Sequence, residues 1–195
     1  MKKTLLLISA VLLLGTAAAA ESRFFLGAGA NYIRPADENY RAVYGNQVIY
    51  PEYTVAVRLV AGLCLTGSMG RMAKNGTTPD LGLETRSVQR YFTAGLGYLQ
   101  RISRLLCVQA GAGVAALSFR EDAFDAFITG RKTGLAAEGG LLIMPEDERV
   151  YMGVKVGYLA ATVEDLDPVL SGRQSARLGG LKIAVSVGIQ LFGND

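Results

Sequence analysis

Four charged side chains fall on the phase of the sequence that otherwise carries glycine and small polar residues: Arg58, Glu138, Lys155 and Lys182. An opposed carboxylate and ammonium in a confined interior could act as a charge gate or ligand clamp. They could equally form a structural network that fills and neutralises the space. Charges in a narrow interior must be paired whatever else they do, so the structural reading is preferred. If Ile143 faces Val150 across the turn at 144–149, Glu138 lies directly opposite Lys155, as a cross-strand ion pair would require.

Catalytic chemistry is restricted by a missing residue type, since the chain contains no histidine. Hydrolases that activate a serine or an aspartate generally use histidine as the base. Histidine-based zinc sites are also absent, and two distant cysteines cannot replace them. Asp and Glu in the loops could in principle work alone, but nothing pairs them at a defined spacing. The expectation is a protein that is not an enzyme, with no catalytic residue, metal site or cofactor. Gly27-Ala28-Gly29, Gly95-Leu96-Gly97 and Gly111-Ala112-Gly113 resemble phosphate loops, but none completes GxGxxG and none precedes a helix.

The elements that would position these residues follow from an alternation of period two. Tyr50-Pro51-Glu52-Tyr53, Gln100-Arg101-Ile102-Ser103-Arg104 and residues 144–149 read as short turns. Between them the alternation predicts strands at 23–34, 41–50, 54–66, 87–99, 105–119, 129–143, 150–163 and 180–192. One face is apolar, as in Val55, Val57, Leu63 and Leu65 or Leu181, Ile183, Val185 and Val187. Outward aromatics near strand ends (Phe24, Tyr32, Tyr98, Tyr158) suggest interfacial girdles. Longer loops are expected at 35–40, 67–85, 120–126 and 164–174, the second rich in turn formers. No helical period competes after residue 20. Oil outside, glycine and charge inside, with short turns at one end and long loops at the other, is the signature of an all-β, eight-stranded, antiparallel up-and-down transmembrane β-barrel. Eight strands leave an interior that side chains such as Tyr91 and Gln109 can fill. A soluble ligand-binding barrel would need the opposite polarity.

The ends and the composition agree with export. Residues 1–20 read as a signal peptide, with Lys2 and Lys3, an apolar run and Ala18-Ala19-Ala20 before Glu21. Residues 21–195 then form the barrel domain. Without Lys2 and Lys3, 18 basic residues stand against 17 acidic ones, a balance that gives no case for nucleic acid. Cys64 and Cys107 are expected to stay unpaired, because their predicted distances from their turns put them at different heights.

Gly95-Leu96-Gly97-Tyr98, a short turn, then Gln109-Ala110-Gly111-Ala112-Gly113 resembles the hairpins of outer-membrane protein A-like and opacity-type eight-stranded barrels. The resemblance covers residues 23–192 and is one of pattern. The last strand departs from the family habit of closing on an aromatic residue, since Phe192 falls on the inward phase and Gly193-Asn194-Asp195 follows. The resemblance implies a bacterial outer-membrane location, outer-membrane lipids and the barrel-assembly machinery as partners, and an envelope-integrity or surface-interaction role through the loops. The alternative it implies is a passive conduit for small, hydrophobic solutes.

Overall fold

The computed structural model describes residues 23–123, 126–145, 149–164 and 175–191. The expected signal peptide at 1–20, most of the loop at 164–174 and the chain end from Phe192 lie outside them. Among the described residues eight strands run β1 Phe24–Pro35, β2 Val48–Arg58, β3 Leu63–Thr77, β4 Glu84–Arg101, β5 Leu106–Ala123, β6 Ala126–Ile143, β7 Val150–Val163 and β8 Ala176–Leu191. Each pairs antiparallel with the next, and β8 returns to β1, closing the barrel. The reversals at 59–62, 102–105 and 144–149 share one end, the turn end, at which β1 also begins and β8 ends. The opposite end is the loop end.

The first half of the chain departs from the sequence reading. Tyr50-Pro51-Glu52-Tyr53 is no turn but lies inside β2. The chain reverses instead at 59–62, where Ala61 and Gly62 take φ of 49° and 84° and Leu63 N–H donates to the Val60 carbonyl at 2.9 Å. Leu59-Val60-Ala61-Gly62 has none of the Asn, Asp or Pro that marks a tight reversal. The pairing Arg58↔Cys64 also joins positions of equal parity, so the apolar alternation runs through the turn unbroken. Pro51 is tolerated because β2 has only β1 beside it there; the β2–β3 ladder starts at Glu52.

The strand expected at 41–50 and the absence of a helix are corrected together. Residues Glu38–Tyr44 form a two-turn helix, α1, and β2 begins only at Val48. Asp37 caps it, its Oδ1 accepting from Tyr40 N–H at 2.9 Å, while Oδ2 accepts from Arg177 N–H on β8 at 2.9 Å. A helix this short has no room for a hydrophobic period, so only its cap could have revealed it. It stacks Tyr40 on Tyr44, with ring centroids 4.5 Å apart, and lays Tyr44 against Gly76 of β3, where a Cβ would come within 2.7 Å of the ring. Burial pushes the Tyr40 phenol up to about 12.

The loops expected at 67–85 and 120–126 are also mostly strand. β3 runs on to Thr77 and β4 starts at Glu84; β5 and β6 extend to Ala123 and from Ala126. A hairpin that projects past the apolar belt meets water on both faces. Nothing there enforces oil on one side, and polar strand reads as loop.

Inside, two apolar clusters close the lumen. Toward the loop end Ile33, Tyr40, Tyr44, Met72, Phe119 and Leu159 pack together with their buried neighbours. Toward the turn end Phe25, Leu99, Leu142, Met144 and Tyr151 form a floor that includes Cys64 and Cys107. Both thiols are buried and not bonded to one another. The height difference inferred from the sequence is wrong, since both sit in the floor. What separates them is β4, which lies between β3 and β5; two strand spacings put their backbones roughly 10 Å apart, past the ~7 Å Cα limit of a disulfide.

Candidate functional site

Between the two clusters lies a closed ring of four charges. Lys182 Nζ is 2.9 Å from Glu52 Oε2 and 3.1 Å from Glu138 Oε2. Lys155 Nζ is 3.2 Å from Glu138 Oε1 and 3.6 Å from Glu52 Oε1. Each carboxylate thus meets both ammonium groups, and the ring is neutral. The side chains of Glu52, Lys182 and Lys155 are 3%, 3% and 6% exposed, whereas that of Glu138 is 28% exposed. Tyr91 donates its phenolic O–H to Glu52 Oε2. Its ring is crossed edge-on by Tyr50 at 5.7 Å and lies 5.8 Å from Lys182 Nζ.

Of the four residues singled out by sequence, Glu138, Lys155 and Lys182 come together and Arg58 does not. Arg58 lies at the turn end of β2, opposite Cys64, and Glu52 takes the place expected of it. Glu52 was hidden by the proline before it, which reads as a turn signal. Tyr50, Glu52 and Thr54 nevertheless share the inward parity of Arg58, and extending the alternation back through Pro51 would have found the carboxylate. Glu138 and Lys155 also meet differently from the expected way. Ile143 pairs with Met152 rather than Val150, so Glu138 lies opposite Gly157 and Lys155 opposite Gly140. The ion pair is diagonal, and a Cβ on Gly157 would come within 3.0 Å of both Glu138 Cβ and Lys182 Cε.

Glycine makes room for the ring and its surroundings by close approach. Gly70 is paired with Tyr91, and a Cβ on it would fall 2.5 Å from the Tyr91 ring. Gly27 does the same for Tyr151, whose phenolic oxygen would be 2.5 Å from a Cβ there. Below the ring the pattern changes. Gly95 faces Gly113, and Gly97 faces Gly111. A chamber of about 90 Å³ opens beside them, lined by Thr54, Thr66, Thr93, Gln109, Glu138 and Ser186 among others. Phe25, Leu99, Leu142 and Tyr151 line it as well, so its wall is largely apolar, and its polar groups could hold a few ordered waters at ~10–15 Å³ each. Above it, Asn31 is 1% exposed, and neither atom of its amide has a hydrogen-bond partner among the described residues.

The outside is the reverse of the inside. Leu26, Leu65, Phe92, Leu96, Val114, Leu141, Val154, Val187 and many more large apolar side chains stand exposed around the wall. A water-soluble monomer rarely shows more than a few hundred Å² of contiguous apolar surface. No helix among the described residues is long and apolar enough to cross a membrane, and no group of three or more His, Cys, Asp or Glu there could hold a metal.

No protein-family model matches the chain, and no curated protein matches it in sequence. Solved structures do match in shape. The attachment invasion locus protein Ail of Yersinia pestis, in complex with the heparin analogue sucrose octasulfate, superposes with a TM-score of 0.59 at 14% identity, over 88% of this chain and 99% of that one. Neisserial surface protein A gives 0.57 at 13% identity, over 86% and 97%. The N-terminal β-barrel domain of Pseudomonas aeruginosa OprF gives 0.50 at 13% identity, over 88% and 98%. The fold is therefore that of the outer-membrane protein A-like eight-stranded barrels. At these identities the likeness is one of fold.

Proposed function

We propose that this chain is a small, non-enzymatic protein of the bacterial outer membrane, whose lumen is structural and whose loop end makes its contacts. On this reading residues 1–20 are removed on export, and the barrel-assembly machinery inserts residues 21–195 among outer-membrane lipids. The observation that carries it is polarity: exposed oil around the whole wall, with a neutral, sealed charge ring within. Such an exterior is stable only against hydrocarbon, and a closed barrel leaves no backbone edge unsatisfied there.

The loop end supports the second half of the reading. Strands β4, β5 and β6 have 18 residues each, where about 9–11 tilted residues cross a bilayer. The surplus makes a wall that stands clear of the membrane and can present side chains to a partner. That the similar Ail holds a heparin analogue is consistent with a barrel of this fold presenting a ligand surface. The conduit reading is disfavoured by the apolar clusters above and below the ring.

Fractionation and conductance test the proposal. The chain should sediment with the outer membrane, shift its gel mobility on boiling in detergent, and show no steady conductance in planar bilayers. Recovery as a soluble periplasmic protein would overturn location and function together. Reproducible single-channel steps would replace the structural reading with the conduit.

A further inference from the structure

Arg71 on β3 and Arg90 on β4 are directly opposed in the sheet, and both point outward and are exposed. Ser118 of β5 lies opposite Arg90, and Arg131 of β6 lies opposite Ser118. Three guanidinium-bearing residues thus occupy one row across four adjacent strands, with no carboxylate in it. Asp122, on the same outward phase of β5, is already held by Arg120 Nε at 2.7 Å. Neither the Arg71 nor the Arg90 guanidinium makes a hydrogen bond or an ion pair with any described residue. Like charges set opposite each other in a ladder repel. An oxyanion between them would turn that repulsion into a two-sided clamp.

The wall on the turn-end side of the pair has the complementary shape. A groove of about 420 Å³ runs there, lined by Tyr53, Met69, Phe92 and Ala116, with Arg71 and Arg90 along its rim. Tyr53, Met69 and Phe92 are each more than half exposed. One step farther from the rim the paired residues are Gly67, with no side chain, and Ala94, with only a methyl, which extend the track down the wall. The height also fits. From Arg90 to Gln100 strand β4 rises roughly 25 Å along the barrel axis, at ~3.3 Å per residue and ~40° of tilt, the height of an apolar belt in such barrels. The arginine row therefore sits where the belt ends and polar headgroups begin.

We propose that this row and groove form a site for a membrane lipid with a phosphate-bearing headgroup. The phosphate lies between the Arg71 and Arg90 guanidinium groups, and an acyl chain lies along Tyr53, Met69 and Phe92. Guanidinium forks match phosphate oxygens in geometry and charge, and they do so best where water is scarce. Inorganic phosphate shares the headgroup chemistry but has nothing to place in the groove, so the site belongs to the lipid. This inference rests on the membrane reading above.

The test uses the full mature chain in phosphatidylcholine nanodiscs doped with diphosphoryl lipid A, or with the same lipid stripped of its phosphates. Lipids retained by the barrel are then counted by native mass spectrometry. Wild type should retain the phosphorylated lipid at least tenfold better than the stripped one. The R71Q/R90Q double variant should lose that preference, and R71K/R90K should keep part of it. Both residues are exposed, and the gel shift on boiling confirms that each variant is folded. Equal retention of the two lipids, or an unchanged preference in R71Q/R90Q, overturns the site. Full displacement of the lipid by millimolar inorganic phosphate would reduce it to a simple anion site and overturn the role of the groove. Failure of the wild type to enter nanodiscs would instead overturn the membrane reading, and this inference with it.

Discussion

Glycine faces two kinds of partner in this lumen. Around the charge ring it faces an aromatic, as Gly70 faces Tyr91, and the ring plane takes the volume that the glycine gives up. Along β4 and β5 it faces another glycine, at Gly95↔Gly113 and Gly97↔Gly111, and beside that wall the lumen is hollow. The difference shows that inward glycine has two uses in a narrow barrel. Opposite a large residue it makes a dense plug, in which charges are dry and must be matched. Opposite itself it lets two strands bend close together and leaves a chamber that water can fill. Glu52 belongs to the first region, and Glu138, more exposed, stands at its border with the second.

The largest effect should come from unbalancing the dry side. Glu52→Gln leaves Lys155 and Lys182 sharing one carboxylate, and breaking a buried pair costs about 3–5 kcal/mol. Glu138→Gln should cost less, toward the ~1 kcal/mol of exposed pairs, because the chamber solvates it. Urea unfolding in detergent would rank the two, and equal losses would erase the distinction between the regions. A double-mutant cycle of Glu138→Leu with Lys155→Leu should be non-additive, since removing both charges strands neither.

The glycine–glycine wall gives the next effect. A Cβ on Gly113 would fall 2.5 Å from the Gly95 Cα. Gly113→Ala must therefore move backbone and should destabilise by about 1–3 kcal/mol. Outward Gly139 has only the Gln109 carbonyl at 3.5 Å from its Cβ position, so Gly139→Ala should be neutral, or stabilise by up to ~1 kcal/mol. The same unfolding assay decides it, and a neutral Gly113→Ala would mean that the wall is looser than its geometry.

At Gly70 the obstacle is a side chain, and the ring can turn aside. Gly70→Ala should cost about 1–2 kcal/mol, chiefly by pulling Tyr91 off Glu52. Combining it with Tyr91→Phe should then add little, and full additivity would show that the two do not act through that hydrogen bond. The smallest effect concerns the lid of the plug. Asp37→Ala removes the cap of α1 and a tie to β8. It should lower stability by ~1 kcal/mol and speed amide exchange in Glu38–Tyr44 while leaving the barrel strands protected.

The alternation of Leu181 to Leu191, and the mirrored glycines about the Gln100–Arg104 turn, were enough to specify an eight-stranded barrel with oil outside. That pattern is local: side chains in a strand alternate faces with period two, and a membrane-facing wall tolerates few exceptions. The same pattern put Glu138, Lys155 and Lys182 on the inner face. It could not locate the reversal at Ala61-Gly62, because equal parity across a hairpin hides a turn, nor α1, which is too short to show a period. Which inward charges meet was decided by the closed sheet. Register slides in steps of two without moving a side chain to the other face, so Glu138 opposite Lys155 and Glu138 diagonal to it read alike in sequence. Only closure of β8 onto β1, which brings β2 round to β6, β7 and β8, set Glu52 between two lysines and left Arg58 at the turn end.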